Sequence, residues 1–348
     1  MALSKKKIVL IVIALVLIVL IVCNLSLIRV LFGNWFAHKE TLEEGEWTGG
    51  TSYMNVQYSD VSETNYLHLF VPDTDSDEKL PCYIFIHGGG FFFNDLDSRQ
   101  AELFYEKVRA EGYAVATINY RLGSEASYPA AIEDVKAAVR FLRANADKYG
   151  IDADQFAIAG ESAGGYLASM VAVTTDDEFN DEKFIGEDEL DEPVSAKVSA
   201  LVDYYGCIEF LSFEDEWKEL GIPKFIRSIA NSWLGDVTSK YGVDSIEEAW
   251  IGKSVDEMTE DEIETYFVSY YAKKNLASDS DLKILVLHGD ADITVPYLES
   301  EKFANLCADL VGDDKVTYRL FPNLGHAADS FYSADSIEWV LDEVGFTK

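Results

Sequence analysis

The sequence predicts an α/β fold in which helices cover both faces of a mostly parallel sheet. From residue 80 onwards, short apolar segments alternate with segments of helical periodicity. Some of the apolar segments are uninterrupted, such as residues 80–86 (LPCYIFI), which is typical of strands buried on both faces. Strands that alternate with helices favour parallel neighbours joined by crossover helices.

The predicted elements follow one another from residue 51 to the C-terminus. Residues 51–71 alternate between apolar and polar side chains on both sides of a turn, which indicates a hairpin. Residues 129–149 carry apolar side chains at spacings of three and four, which form one face of a long helix. The other predicted strands are 80–86, 113–120, 155–160, 197–206, 283–289 and 316–321, and the other predicted helices are 101–112, a helix from about residue 162, and 333–344.

Two segments interrupt this alternation. Residues 176–192 are almost entirely polar and acidic, and a solvated loop is the simplest interpretation. Residues 208–281 contain no buried-strand pattern, although aromatic side chains recur among their acidic residues. Because this segment is long for a loop, we expect a mainly helical cap insertion. We expect it to pack above the carboxyl edge of the sheet, where α/β enzymes bind their ligands.

The first 39 residues differ in character from the rest of the chain. Residues 8–22 are uninterrupted Ile, Val, Leu and Ala. As a helix, residues 8–28 would span roughly 31 Å, which matches a hydrocarbon core of about 30 Å. The lysines at positions 5–7 favour a cytoplasmic N-terminus. We therefore expect residues 1–39 to contain a single-pass transmembrane signal anchor, with residues 40–348 outside the cell membrane.

A cleaved or lipid-modified leader is the competing interpretation. No A-x-A pattern follows the apolar segment, and Val22 precedes Cys23 where a lipoprotein site needs a small residue.

The chain has four cysteines, and three of them lie after residue 39. We expect these to be buried free thiols, although a single disulfide is an alternative.

The charge of the chain excludes several classes of partner. Lys and Arg number 28 against 62 Asp and Glu, which gives a formal net charge of −34. Phosphate backbones require cations, so we expect no nucleic-acid partner.

The sequence does not support a metal site. The alternating acids Asp73, Asp75 and Asp77 lack the glycine and terminal glutamate of an EF-hand loop. No zinc spacing, P-loop or dinucleotide fingerprint is present, so no cofactor is expected.

A glycine-flanked serine follows one of the predicted strands. Residues 160–164 (GESAG) match the pattern G-x-S-x-G and lie between the apolar strand 155–160 and a predicted helix. This setting is typical of a nucleophile elbow, where small neighbours make room for a strained serine and the helix N-terminus favours negative charge. Ser162 is therefore the candidate nucleophile. A tight turn with a capping serine is the simpler alternative.

A second glycine-rich segment, residues 87–90 (HGGG), follows the strand 80–86. Successive glycines let backbone N–H groups approach a ligand closely. We expect the N–H groups of Gly89 and Gly90, together with that of Ala163, to hold the oxyanion of a tetrahedral intermediate. A flexible loop is the alternative.

His87 precedes these glycines and three phenylalanines follow them. We expect His87 to be structural rather than a base. Phe91, Phe92 and Phe93 follow the glycines directly. Their rings either line a substrate pocket or belong to the core, and the sequence favours neither interpretation.

A serine nucleophile needs a base and an acid that orients it. Of the five histidines, His326 is the best placed, because it lies in a loop after the last predicted strand. Asp292, just after another strand, is preferred as the acid to Asp290, which we expect to cap or brace the loop. We expect His288, at the end of that strand, to be buried. The chain order Ser, Asp, His is that of an α/β-hydrolase.

These segments together resemble a known family of esterases. The resemblance is to the hormone-sensitive-lipase-like and feruloyl-esterase-like (BD-FAE-type) carboxylesterases, and it extends from about residue 50 to the C-terminus. It implies an α/β-hydrolase fold, with Ser162, Asp292 and His326 as the triad and Gly89, Gly90 and Ala163 as the oxyanion-hole donors. The segments that carry it are 87–91 (HGGGF), 119–122 (NYRL), 128–152, 160–165 (GESAGG), 288–296 (HGDADITVP) and 325–326 (GH).

The sequence thus predicts a serine hydrolase of carboxylic esters that acts on small molecules with short acyl chains. It would work through an acyl-enzyme and need no cofactor. Phe91 and Phe92 are the candidate substrate contacts. The alternatives are an amidase or peptidase of the same fold, or a surface binding module without turnover.

Overall fold

The computed structural model describes residues 48–75, 78–224 and 235–348. The predicted transmembrane segment, residues 8–28, lies outside these ranges, so its membrane role stays a prediction. Within the described ranges, every helix is too short or too polar to cross a bilayer.

One eight-stranded sheet organises the described residues, and its spatial order is β1-β2-β4-β3-β5-β6-β7-β8. The first two strands run antiparallel to their neighbours, whereas all pairs from β4 to β8 are parallel. The strands are β1 Gly50–Gln57, β2 Tyr66–Pro72, β3 Leu80–Ile86, β4 Ala114–Ile118, β5 Ile151–Glu161, β6 Ala200–Tyr204, β7 Lys283–Gly289 and β8 Val316–Phe321.

Helices connect these strands and cover both faces of the sheet, as predicted. The long helix predicted over 129–149 is two helices, because the chain turns at Asn145. The helices are α1 Arg99–Ala110, α2 Ala130–Ala144, α3 Ala146–Tyr149, α4 Ala163–Val173, α5 Phe213–Glu219, α6 Gly235–Tyr241, α7 Ile246–Ile251, α8 Glu260–Glu264, α9 Val268–Asn275, α10 Tyr297–Val311 and α11 Ala334–Val344.

The uninterrupted apolar sequence of β3 is explained by burial on both faces. Successive side chains of a strand point to opposite faces. Ile84 and Ile86 belong to the core beneath α2 and α4, whereas Tyr83 and Phe85 belong to the core beneath α1 and α11. All seven residues of β3 are buried. The sheet thus holds the chain segment that follows Ile86 rigidly at its carboxyl edge.

The acidic segment 176–192 is a largely exposed loop, as its composition indicates, and it is also fastened to α2. Many of its side chains are exposed, but buried cations of α2 hold its backbone. The ammonium of Lys136 donates to the carbonyl oxygen of Glu178, and the guanidinium of Arg140 donates to that of Glu182. Burial lowers the pKa of Lys136 to about 8. These bonds satisfy carbonyls and cations that would otherwise be buried unpaired.

The described part of the insertion, within residues 208–281, contains five short α-helices, α5 to α9, two 3-10 turns and no strand. It packs on the carboxyl edge of the sheet, where it was expected. The hydroxyl of Tyr166 in α4 donates to the carbonyl oxygen of Tyr266 at 2.8 Å. The backbone N–H of Tyr128 donates to the carbonyl oxygen of Trp250 at 3.0 Å. The insertion therefore lies over the start of α4.

Three cysteines lie within the described ranges, and all are free and buried. Burial raises the pKa of the Cys82 and Cys207 thiols and raises that of Cys307 to about 12. Cys23 lies outside the described residues.

Candidate active site

Ser162 occupies the turn between β5 and α4 in a backbone conformation that few residues other than glycine adopt. Its φ is 53° and its ψ is −120°. The Ser162 N–H donates to the carbonyl oxygen of Tyr204 on the neighbouring strand at 2.9 Å, which holds the turn in place. A Cβ atom on Gly160 would lie 2.2 Å from the oxygen of Gly164. The flanking glycines are therefore required by close backbone contact, and the serine hydroxyl is presented at the edge of the sheet.

A continuous hydrogen-bond chain joins the three candidate catalytic side chains. His326 lies in the loop after β8, and its Nε2 is 3.0 Å from Ser162 Oγ. Its Nδ1 is 2.7 Å from Oδ2 of Asp292, which lies in the loop after β7. An ionised carboxylate only accepts, so Nδ1 carries the proton and Nε2 of the neutral ring accepts from the serine hydroxyl. The structure thus brings together the three residues that the sequence singles out.

The carboxylate of Asp292 is buried but fully supplied with donors. Its Oδ1 accepts from the backbone N–H groups of Thr294 at 2.8 Å and Val295 at 3.0 Å. Burial alone would raise the pKa of Asp292, but the charge of His326 and hydrogen bonds from His288 and His326 hold it well below its ordinary range. The acid therefore stays ionised beside His326 at neutral pH.

Asp290, the other candidate acid, has a different position. Its side chain is exposed and accepts from the backbone N–H of Asn323 at 2.6 Å. This bond joins the loop after β7 to the loop that carries His326. Asp290 is thus a brace between the two loops, as expected.

Two opposing effects act on His326. Burial favours the neutral ring and lowers the pKa, whereas the charge and hydrogen bond of Asp292 raise it. The charge of Glu161 acts in the same direction, and the net result is a raised pKa of His326. The ring also packs edge-on against Tyr205, with centroids 4.9 Å apart. His326 is therefore a stronger base than a free imidazole.

The glycine segment after β3 lies beside the turn that carries Ser162. The N–H of Gly88 donates to Glu161 Oε1 at 3.1 Å. Gly89 and Gly90 have φ values of 114° and 56°, which favour glycine. Within the described part of the chain, the N–H groups of Gly89, Gly90 and Ala163 donate to no acceptor. These three backbone donors are therefore available to a ligand.

His87 has a structural position. Burial lowers its pKa to about 4, so the ring is neutral. It stacks on Tyr120 with centroids 4.4 Å apart, and the Tyr120 hydroxyl donates to the His87 carbonyl oxygen at 3.0 Å.

Across residues 48–75, 78–224 and 235–348, no three His, Cys, Asp or Glu side chains are arranged to hold a metal ion.

The three phenylalanines after the glycines separate into different environments. Phe91 is buried and stacks on Trp250 of the insertion, with ring centroids 3.9 Å apart and planes 3° from parallel. Of the two interpretations left open by the sequence, packing in the core describes Phe91. Phe92 is also largely buried and faces Tyr241, whereas Phe93 is 37% exposed. A substrate contact by Phe92 stays a prediction.

The sequence did not predict the contact between His288 and Asp292. His288 Nε2 lies 3.1 Å from Asp292 Oδ2. Burial of His288 was expected from its place at the end of a strand, and its side chain is buried. The spacing of four residues was the available signal, because a strand end and the loop after it often fold back on each other.

Sequence comparison relates the chain to curated esterases. Esterase LipC of Mycobacterium tuberculosis is 27% identical over 252 residues, which cover 72% of this chain and 54% of LipC. The probable carboxylic ester hydrolase LipM of the same organism is 26% identical over 302 residues, which cover 84% of this chain and 62% of LipM. The chain thus spans less than two thirds of the length of these relatives.

Comparison with solved structures relates the fold of the chain to that of esterases. A truncated form of a carbohydrate esterase from gut microbiota has a TM-score of 0.67 at 24% identity, covering 86% of this chain and 97% of that chain. Esterase B from Lactobacillus rhamnosis has a TM-score of 0.58 at 20% identity, covering 85% of this chain and 84% of that chain. At these identities the likeness shows the fold alone, which is the α/β-hydrolase fold. The family model of BD-FAE matches residues 67–306, which is more than half of the chain, and the chain therefore belongs to the BD-FAE family.

Proposed function

We propose that the protein is a serine carboxylesterase that hydrolyses small-molecule esters. The observation that carries this proposal is the hydrogen-bond chain from Ser162 through His326 to Asp292, beside three backbone N–H groups without acceptors in the described residues. Nucleophile, base, orienting acid and oxyanion donors are the groups that acyl transfer requires. The relatives and solved structures named above are described as esterases, which supports the same class of reaction.

The reaction starts with attack of Ser162 Oγ on the ester carbonyl carbon. His326 Nε2 takes the serine proton, and Asp292 steadies the imidazolium that forms. The N–H groups of Gly89, Gly90 and Ala163 bind the carbonyl oxygen as it becomes an oxyanion. His326 then gives its proton to the leaving alcohol, which leaves an acyl group on the serine. Water, activated by the same histidine, releases the acid.

Short acyl chains are the proposed substrates. The support is the aromatic packing beside the glycine segment, where Phe91 and Phe92 are largely buried and Trp250 closes the space above Phe91. A net charge of −34 disfavours polyanionic substrates by repulsion. Amide or peptide cleavage by the same groups is the alternative, followed by a surface binding module without turnover.

Anchoring at the cell membrane is also part of the proposal. The apolar segment 8–28 and the lysines at positions 5–7 support a single-pass anchor with the catalytic domain outside. A protease added to intact cells tests this directly. Digestion of residues 40–348 in intact cells supports the proposed orientation, whereas protection until lysis contradicts it.

Hydrolysis of p-nitrophenyl esters from acetyl to palmitoyl by the full-length chain in detergent tests the activity. We expect turnover on acetyl and butyryl esters that declines at octanoyl and longer chains, because buried aromatic rings pack beside the glycine segment. The matching p-nitroanilides serve as controls and should react far more slowly. A chain that hydrolyses no ester and takes no fluorophosphonate label at Ser162 would be a binding module.

The rate should rise with pH through an acid limb. His326 acts as a base only when neutral, so its proton must leave before attack. Burial lowers the pKa of His326, but Asp292 raises it more, and the net value lies above the ordinary 6.5. The midpoint of the acid limb in a profile of kcat/KM against pH should therefore lie above 6.5. A midpoint at or below that value would contradict the proposed pairing.

A further inference from the structure

We propose that His288 is a positioning residue of the hydrolytic site, which holds Asp292 with a second imidazole N–H and moderates the basicity of His326. Ser300 in turn fixes the ring of His288. This inference rests on the proposed function, because Asp292 and His326 act there as acid and base. It adds the side chains of His288 and Ser300 to the hydrogen-bond chain.

His288 lies between the loop that carries Asp292 and the first turn of α10. It lies near the end of β7, and its side chain is fully buried. Its Nε2 is 3.1 Å from Asp292 Oδ2 and 3.2 Å from the carbonyl oxygen of Val295. Its Nδ1 is 2.7 Å from the hydroxyl oxygen of Ser300, which is buried in the first turn of α10. Both ring nitrogens therefore have partners.

The partners determine which nitrogen of the neutral ring carries the proton. The carbonyl oxygen of Val295 only accepts, so Nε2 of His288 must be the donor. Nδ1 then accepts from the hydroxyl of Ser300. In this tautomer the Nε2–H is shared between Val295 and Asp292. Ser300 thus keeps the proton of His288 on the side that faces the acid.

The consequence for Asp292 is that both carboxylate oxygens are fully engaged. Oδ1 accepts two backbone N–H groups, and Oδ2 accepts N–H groups from His288 and His326. The carboxylate cannot rotate without losing bonds on both sides. A donor on Oδ2 also withdraws charge from the oxygen that faces His326. His288 therefore orients the acid and at the same time weakens its hold on the His326 proton.

Other groups that face these rings are left unchanged by substitutions at His288 and Ser300. Glu161, at the end of β5, contributes a second negative charge to His326. Tyr205, after β6, packs against both imidazole rings, with centroids 4.9 Å from His326 and 6.3 Å from His288. A change in the titration of His326 on substitution of His288 thus reports on Asp292.

The test compares His288→Leu with His288→Gln in the full-length chain. The leucine variant loses the donor, so we expect kcat to fall by roughly 10²-fold, as for a misplaced catalytic group. The acid limb of kcat/KM should also move to higher pH, because Asp292 then holds the His326 proton more strongly. The glutamine variant keeps an N–H near the position of Nε2 and should restore the acid limb towards that of the wild type. Ser300→Ala should also move the midpoint of the acid limb to higher pH, but by less than His288→Leu does.

A matched control distinguishes an effect of His288 on the site from the general loss of stability that follows removal of a buried histidine. His68 is a buried histidine of β2 that lies 3.4 Å from Asp97 and contacts none of the site. His68→Leu should lower the melting temperature without moving the acid limb. If a folded His288→Leu variant keeps both the wild-type kcat and the wild-type limb, the proposal is wrong. If that variant does not fold, the glutamine and Ser300→Ala variants decide by the same criteria.

A second measurement does not depend on turnover. The titration of His326 can be followed by NMR in the Ser162→Ala background, with and without His288→Gln and Ser300→Ala. A raised titration midpoint in the Ser300→Ala double variant supports the inference, and an unchanged one contradicts it. If the wild type hydrolyses no ester, the proposed function fails, while this titration still tests the contact between His288 and Asp292.

Discussion

Replacing Ser162 by alanine is expected to abolish ester hydrolysis and to leave the domain folded. The Ser162 hydroxyl is the only group placed 3.0 Å from His326 Nε2 among the described residues. Without it no acyl-enzyme forms, and kcat should fall by roughly 10⁴-fold or more, to what the oxyanion donors alone support. Hydrolysis of p-nitrophenyl acetate by purified wild type and variant measures this.

The control for this prediction is the stability of the fold. Alanine keeps the Cβ atom and meets the same backbone strain at a φ of 53°, so the melting temperature should change little. A fluorophosphonate probe should label the wild type and not the variant. Undiminished turnover by a Ser162→Ala variant that still reacts with the probe in a parallel sample would show that another residue is the nucleophile.

Replacing Asp292 by asparagine should have an effect of similar size on kcat. All donors around this side chain point at a carboxylate, and two of its contacts come from imidazole N–H groups. An amide brings its own donor into this arrangement and favours the wrong tautomer of His326. We expect kcat to fall by about 10⁴-fold, whereas KM should change little, because the group does not touch substrate.

Asp290→Asn is the matched control in the same loop. Its side chain is exposed and, among the described residues, accepts the N–H of Asn323, a bond that the amide oxygen of asparagine can accept equally well. This variant should keep its kcat within about twofold, since exposed polar contacts contribute little. Equal losses in the two variants would mean that the loop, rather than the carboxylate of Asp292, is what the site requires.

The local patterns of the sequence predict most of the fold. The strands 80–86, 283–289 and 316–321 begin and end where predicted, because each is a short segment rich in apolar, aromatic or β-branched side chains and bounded by turns. The order of the strands could not be predicted in this way, since it depends on contacts between distant segments. The break at Asn145 was missed because the apolar periodicity continues across it.

The sequence also predicts only part of the candidate site. Ser162, Asp292 and His326 each stand at a strand end within a recognisable motif, so their meeting follows from the parallel topology. The parallel topology does not predict which residues pack against Phe91 or bind the acidic segment 176–192. Trp250 and the cations of α2 reach them through tertiary packing, for which one sequence carries no local signal.

The three buried thiols bear on how the domain matures. Because Cys82, Cys207 and Cys307 are all unpaired, folding of the described residues requires no oxidant and no disulfide isomerase. Burial raises the pKa of each thiol, which keeps the reactive thiolate scarce and resists exchange with small disulfides. The covalent structure of the domain is thus the same in a reducing and in an oxidising compartment. Redox chemistry therefore does not restrict the compartment in which the described residues can fold.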